Sequence, residues 1–184
     1  DFQSKEIFHE VRDVELGPNM VSQITRLPAV KGLTPVYFLD LKLADNAGGL
    51  VGENFYWLPT KKDVMNYAAT EWFVTPIKEF ADLTELGKLP EVTLNVLSAF
   101  EQAGDEQRVQ VTLQNPADTI AFFVELSVIG RESRRSVLPI YWDDNYVSLL
   151  PGESKTLSAT FSAADVQGDE PVLRVDGWNI KPQQ

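Results

Sequence analysis

The chain has 184 residues, no cysteine and a formal net charge of −11 at pH 7. Its length suffices for one large domain or two small ones, and its acidity argues against a nucleic-acid or anionic-membrane partner. The lack of cysteine excludes disulfides, thiolate metal sites and a cysteine nucleophile. From the opening letters DFQSKEIFHE, which do not form a signal peptide, we expect a soluble, mature or excised segment.

Alternating side chains predict about four strands in the first half of the chain. They are Ile7–Leu16, Met20–Leu27, Val36–Leu43 and a returning strand that ends at Asn54–Leu58, after a hairpin loop at Asp45–Gly49. Four strands seldom cover both faces of a sandwich. We therefore expect the first domain to begin upstream of Asp1, so that this chain is a fragment.

The stretch from Pro59 to Leu89 lacks a strand pattern in its first half. Spacing of apolar residues predicts a helical turn over Ile77–Leu86, and Thr84–Pro90 is predicted to be a domain boundary. The stretch also carries three aromatic residues, namely Tyr67, Trp72 and Phe73.

The second half predicts about seven short strands separated by strong turns, which is typical of an immunoglobulin-like sandwich. The predicted strands include Val92–Phe100, Arg108–Gln114, Ile120–Ile129, two short runs within Leu138–Leu150, a strand with alternating residues ending at Phe161, and Val172–Trp178. A helical turn is expected at Ala163–Val166. The predicted fold is all-β, with two immunoglobulin-like β-sandwiches in tandem. Residues 1–88 are predicted to form a partial immunoglobulin-like sandwich plus an irregular aromatic connector, and residues 89–184 the second sandwich.

The polar residues offer little evidence of catalysis or metal binding. His9 is the only histidine and falls on the predicted inward face of a strand, so it predicts neither a Ser-His-Asp triad nor a transition-metal site. Asp143, Asp144 and Asn145 are interpreted as a turn, with calcium binding and a carboxylate pair as the alternatives. We expect no catalytic residue, metal or cofactor in this chain.

The aromatic residues admit two interpretations. The four tryptophans, Trp57, Trp72, Trp142 and Trp178, favour core and interface packing, while an aromatic platform for a sugar ring is the functional alternative. Tyr67, Trp72 and Phe73 are the candidates for sugar contact, because side chains in an irregular stretch need not face a core.

Three segments of the chain combine into a recognisable pattern: NFYWLPTKKDVMNYAATEWFVTPIKEFADL (Asn54 to Leu83), LPIYWDDNYVSLLPGESKTLSATF (Leu138 to Phe161) and RVDGWN (Arg174 to Asn179). Together they resemble the C-terminal region of glycoside hydrolase family 2 enzymes, in the branch of exo-β-D-glucosaminidases and β-mannosidases. The resemblance covers the chain from about Pro28 onward. Glu71, the residue before Trp72, is a mild departure from the family pattern, which more usually has a different acid at this position.

The resemblance implies non-catalytic accessory domains of a retaining glycoside hydrolase acting on β-linked glucosamine or mannose. Its implied partner is a catalytic TIM barrel of the parent chain, with an oligosaccharide as a further partner, and it favours a secreted or periplasmic location. The family carries its two catalytic glutamates in that barrel, so none is transferred to this chain. Two alternatives stay open: a carbohydrate-binding module and a purely structural immunoglobulin-like tandem.

Overall fold

The computed structural model describes residues 1–184 and is nearly all-β, which confirms the predicted class. The chain divides into two compact units, Asp1–Lys88 and Leu89–Gln184. The strands are β1 (Val36–Ala44), β2 (Leu50–Pro59), β3 (Val64–Met65), β4 (Ile77–Glu79), β5 (Asn95–Ala103), β6 (Glu106–Gln114), β7 (Ala121–Gly130), β8 (Ile140–Trp142), β9 (Val147–Leu149), β10 (Ser154–Ser162) and β11 (Pro171–Asp176). Three short 3-10 helices complete the secondary structure: Tyr67–Ala69, Thr84–Lys88 and Ala163–Val166. No helix is long and apolar enough to cross a membrane.

The second unit contains two antiparallel sheets with the strand orders β5-β6-β10-β8 and β11-β7-β9. This division into four and three strands is the one found in constant-type immunoglobulin sandwiches. Buried aliphatic side chains of both sheets form one core, which includes Val109, Val111, Leu157, Ala159 and Phe161 from the first sheet and Val124, Leu126, Val128, Leu173 and Val175 from the second. Burial of each large aliphatic side chain contributes about 1.5–3 kcal/mol.

The alternation of side chains in β10 follows directly from its pairing with β6. Leu157 lies opposite Val111 and both are buried, whereas Thr156 lies opposite Thr112 on the solvent-facing side. The two threonine hydroxyls are 3.0 Å apart. Since successive residues of a strand face opposite sides, the period-2 pattern predicts this arrangement correctly.

The chain passes from one sheet to the other between β8 and β9. β8 pairs with β10 in the first sheet. After four connecting residues, β9 pairs with β7 in the second sheet. The turn that makes this crossing contains Asn145, whose side chain hydrogen-bonds the backbone of Leu126 in β7. The two sheets are therefore joined by hydrogen bonds at this corner as well as by the core.

The beginning and the end of the second unit also lie side by side. Val92 and Ile180 form a parallel bridge, in which the Val92 amide donates to the Asn179 carbonyl at 2.7 Å. The buried Asn179 side chain donates to the carbonyls of Pro90 and Ile120 at 2.8 and 2.9 Å.

The first unit has two separate hairpins, β1–β2 and β3–β4. Val36 and Leu86 are its only buried hydrophobic residues, and the β1–β2 ribbon exposes apolar side chains on both faces. Phe38 and Phe55 stack with ring centroids 5.7 Å apart on one face. Two-stranded ribbons are marginal by themselves, because they bury little apolar surface.

Three sequence predictions for the first unit need correction. Ile7–Leu16 and Met20–Leu27 contain no strand, since their alternating residues find no partner strand and stay largely exposed. The helical turn predicted over Ile77–Leu86 is displaced: Ile77–Glu79 is strand β4, and the 3-10 helix spans Thr84–Lys88. The hairpin around Asp45–Gly49 is confirmed, as is the helical turn at Ala163–Val166.

Candidate functional site

The three aromatic residues singled out by the sequence lie on one arm formed by β3, β4 and the loop between them. Tyr67 begins the short 3-10 helix, and Trp72 and Phe73 form the centre of a tight turn. Their exposed fractions are 77% for Tyr67, 93% for Trp72 and 80% for Phe73. The Trp72 and Phe73 rings are in contact, with centroids 4.9 Å apart and planes inclined by 36°.

Backbone hydrogen bonds hold this turn in a closed shape. The Glu71 and Val74 amides each donate to the other residue's carbonyl, at 3.1 and 2.9 Å, and the hydroxyls of Thr70 and Thr75 are 3.0 Å apart. Trp72 has a φ of +57°, a left-handed conformation that is unfavourable for a bulky side chain. The turn therefore presents Trp72 to solvent at a conformational cost, which is a common property of functional sites.

The chemistry at the tip of the arm combines flat apolar rings with one carboxylate. Glu71 is the only charged residue between Asp63 and Lys78, and its side chain has no hydrogen-bond or ionic partner. Exposed patches of this kind usually contact a ligand or another protein surface. An aromatic face next to a carboxylate suits a sugar ring with a cationic substituent.

The Asp143–Asn145 segment forms the predicted turn. Both oxygens of Asp143 accept the Ser158 amide, at 2.9 and 3.0 Å, and Asp144 accepts the Asn145 amide at 2.8 Å. Asp144 also lies 3.3 Å from the Lys155 ammonium. Its residues thus have structural partners, and nowhere in the chain do three or more His, Asp or Glu side chains gather where they could hold a metal ion.

The predicted inward position of His9 is wrong. Its side chain is exposed, and its Nδ1 lies 3.4 Å from a carboxylate oxygen of Glu6. No strand forms around it that could turn one side of the residue toward a core.

A second aromatic group was not singled out by the sequence. Four rings contact one another in a row at one end of the second unit: Trp178, Phe122, Phe123 and Tyr146. The chain brings them together from β7, from the turn before β9 and from the segment after β11. The two consecutive phenylalanines in a strand were the available signal, because alternation would send one of them to the solvent face.

The family model and several relatives of this chain point to exo-β-D-glucosaminidases. The family model described as the Ig-fold domain of exo-β-D-glucosaminidase matches residues 72–180. An exo-β-D-glucosaminidase of Streptomyces avermitilis is 37% identical over 163 residues, which are 87% of this chain and 18% of the relative. One from Arthroderma benhamiae is 32% identical over 98% of this chain and 20% of its own length.

A solved structure agrees with the sequence relatives. The crystal structure of Amycolatopsis orientalis exo-chitosanase CsxA superposes with a TM-score of 0.81 at 38% identity. The match covers 85% of this chain and 19% of that one. The chain thus spans about a fifth of the length of the proteins that it resembles.

Proposed function

Because this chain belongs to the exo-β-D-glucosaminidase Ig-fold family, we propose that it is a non-catalytic accessory part of a glycoside hydrolase that acts on β-linked glucosamine. One observation carries the proposal: the chain is 38% identical to an exo-chitosanase and superposes on it with a TM-score of 0.81, yet it covers only 19% of that protein. The catalytic machinery of the parent enzyme resides in the remaining part, a TIM barrel that carries both catalytic carboxylates of a retaining, family 2 mechanism.

The carboxylates of the chain itself support an accessory role. A retaining mechanism needs an acid/base and a nucleophile about 5 Å apart. In the Asp143–Asn145 turn the carboxylates accept backbone amides instead. We propose that residues 1–88 are a partial immunoglobulin-like sandwich with its aromatic connector, and that residues 89–184 are a complete one.

The test compares the full-length parent enzyme with the 184-residue chain. We expect the parent to release p-nitrophenol from p-nitrophenyl β-D-glucosaminide, faster than from the β-D-mannoside, while the chain alone hydrolyses neither. Hydrolysis by the chain alone would overturn the accessory role. Preference of the parent for the mannoside would overturn the choice of sugar.

For the arm we propose a position at the rim of the parent's active site, where Tyr67, Trp72 and Phe73 contact the substrate. Support comes from their high exposure and from the left-handed backbone of Trp72.

The variant Trp72→Gly removes the ring and keeps the backbone, because glycine tolerates a positive φ. In the parent enzyme it should lower kcat/KM on glucosamine oligomers roughly tenfold. The matched control is Tyr141→Ala, an exposed tyrosine of the second unit that should have no effect. Equal kcat/KM for Trp72→Gly and the wild type would refute the rim position.

A further inference from the structure

The row of four rings in the second unit has an exposed surface at both ends. Trp178 meets Phe122 edge-on with centroids 6.4 Å apart, Phe122 and Phe123 are 5.8 Å apart, and Phe123 and Tyr146 are 5.1 Å apart. Phe122 is buried and lies between Trp178 and Phe123, whereas the two end residues, Trp178 and Tyr146, are 58% and 49% exposed. We call this set the aromatic row.

The backbone of the aromatic row is held in an unusual conformation. Phe123 and Tyr146 both have a φ of +56°. Phe123 lies where the register of β7 against β9 shifts, so that Phe122 and Phe123 occupy a bulge. Such conformations are disfavoured for bulky residues and are concentrated at functional sites. Bulges re-aim side chains, and this one accompanies the turn of the Phe123 ring toward Tyr146.

Both backbone amides of the bulge and the Phe122 carbonyl nevertheless have hydrogen-bond partners. The Phe122 amide donates to the Asn179 side chain at 2.8 Å, and the Phe122 carbonyl accepts the Trp178 amide at 3.1 Å. The Phe123 amide donates to the Ser148 hydroxyl at 3.3 Å. The rings are therefore carried by a backbone with defined hydrogen bonds at each of these positions.

A carboxylate without a partner lies in the same strand as two rings of the aromatic row. Glu125 follows Phe123 by two residues in β7, and both side chains are half-buried. Glu125 stands opposite Asp176 of β11, but the Arg174 guanidinium pairs with Asp176 at 2.6 Å and leaves Glu125 without a hydrogen-bond or ionic partner. Asp144, two residues before Tyr146, is paired with Lys155.

We propose that the aromatic row is a binding surface for a chain of β-linked glucosamine units, whose C–H faces stack on Trp178, Phe123 and Tyr146 while Glu125 meets an ammonium group. Aromatic faces suit the apolar faces of sugar rings, and an unpaired carboxylate selects a cationic sugar over its neutral acetylated form. The proposal goes beyond the accessory role and takes from the proposed function only the choice of sugar.

The experiment titrates the 184-residue chain with a glucosamine hexamer at low salt, followed by tryptophan fluorescence and by isothermal calorimetry. We expect saturable binding that weakens about tenfold in Trp178→Ala and in Tyr146→Asn. The second variant keeps the backbone, because asparagine tolerates a left-handed φ. Tyr141→Ala is the matched control, since it removes an exposed aromatic ring of the same unit that lies outside the aromatic row and should leave the Kd unchanged.

The role of Glu125 is tested separately. Glu125→Gln should weaken binding of the glucosamine hexamer severalfold and reduce the dependence of the Kd on salt. Acetylation of the ligand should have a similar effect: wild type should bind the N-acetylated hexamer no more tightly than Glu125→Gln binds the glucosamine hexamer. Unchanged melting temperatures of the variants would show that they are folded. Equal affinity of Trp178→Ala and wild type, equal affinity for both hexamers, or no saturable binding would each overturn the proposal. These outcomes are independent of the parent enzyme's activity, which tests the proposed function.

Discussion

The side-chain amide of Asn145 forms with Leu126 the two hydrogen bonds that a neighbouring strand would supply. The Leu126 amide donates to Oδ1 at 2.8 Å, and Nδ2 donates to the Leu126 carbonyl at 2.9 Å. Leu126 is buried, so water cannot replace either bond readily.

We expect Asn145→Ala to lower the free energy of unfolding by about 2–3 kcal/mol, because it leaves two buried backbone groups unsatisfied. Urea denaturation measures this loss. The control is Asn95→Ala, which removes an exposed side-chain bond to Gln114 and should cost under about 0.5 kcal/mol. If the two variants cost the same, Asn145 does not hold the corner between the sheets.

A methyl group at Gly177 has no room. A Cβ there would lie 2.9 Å from the Phe123 carbonyl oxygen and 3.1 Å from the Val124 Cα, and both are backbone atoms that cannot rotate away. We expect Gly177→Ala to cost about 2 kcal/mol or more of unfolding free energy. Gly168 has open space but a φ of +80°, so Gly168→Ala should cost only about 1 kcal/mol. Thermal melts measure both losses. A lower melting temperature for Gly168→Ala than for Gly177→Ala would contradict the prediction.

Asp169 makes the free energy of unfolding depend on pH, because its pKa differs between the folded and the unfolded chain. Hydrogen bonds from the Ser133 amide and hydroxyl, followed by those from the Glu132 and Glu170 amides, lower the pKa of this carboxyl from 3.8 to about 2. Because the folded pKa lies below the unfolded one, the contribution of Asp169 is fully present above the unfolded value and is lost as the pH falls through about 2. We expect Asp169→Asn to lower the melting temperature at neutral pH, with a difference from wild type that shrinks as the pH falls below 3.8. Asp118→Asn, which removes an exposed carboxylate without a partner, should melt like wild type at neutral pH. A difference that persists undiminished below the folded pKa would contradict the prediction.

Hydrogen exchange should separate the two units of the chain. Amides of β6, β7 and β10 lie around the buried core, whereas the β1–β2 ribbon exposes apolar side chains on both faces. Opening of the ribbon costs little free energy, so its amides should exchange by orders of magnitude faster. Mass spectrometry of the 184-residue chain measures both regions in one sample. Equal protection of β1 and β6 would contradict this prediction and show that the ribbon is as stable as the core of the second unit.

The second unit could be predicted well from its sequence, and the first only in part. In β10, the alternation of Leu157, Ala159 and Phe161 coincides with burial against a facing sheet, so the pattern and the structure have the same cause. The residues of Ile7–Leu16 also alternate, yet they form no strand. A strand requires a partner, and a local pattern does not say whether one exists.

The asparagines show why the polar connections escaped prediction. Asn115 and Asn179 are buried, and each side chain bonds to backbone groups distant in sequence, such as Leu149 for Asn115 and Pro90 for Asn179. These partners depend on the completed fold. The exposure of Trp72 could be anticipated from its irregular surroundings. The aromatic row depends on a bulge, of which the consecutive residues Phe122 and Phe123 were the available sign in the sequence.

The bridge between Val92 and Ile180 makes the second unit suited to circular permutation. Since its first and last bridged residues lie side by side, a short glycine-rich linker could join them without stretching the fold. New termini could then open at the exposed turn around Gly104, between β5 and β6. A unit of this kind can be moved within a larger polypeptide, or inserted into a loop of another protein, because both of its connections leave from the same place.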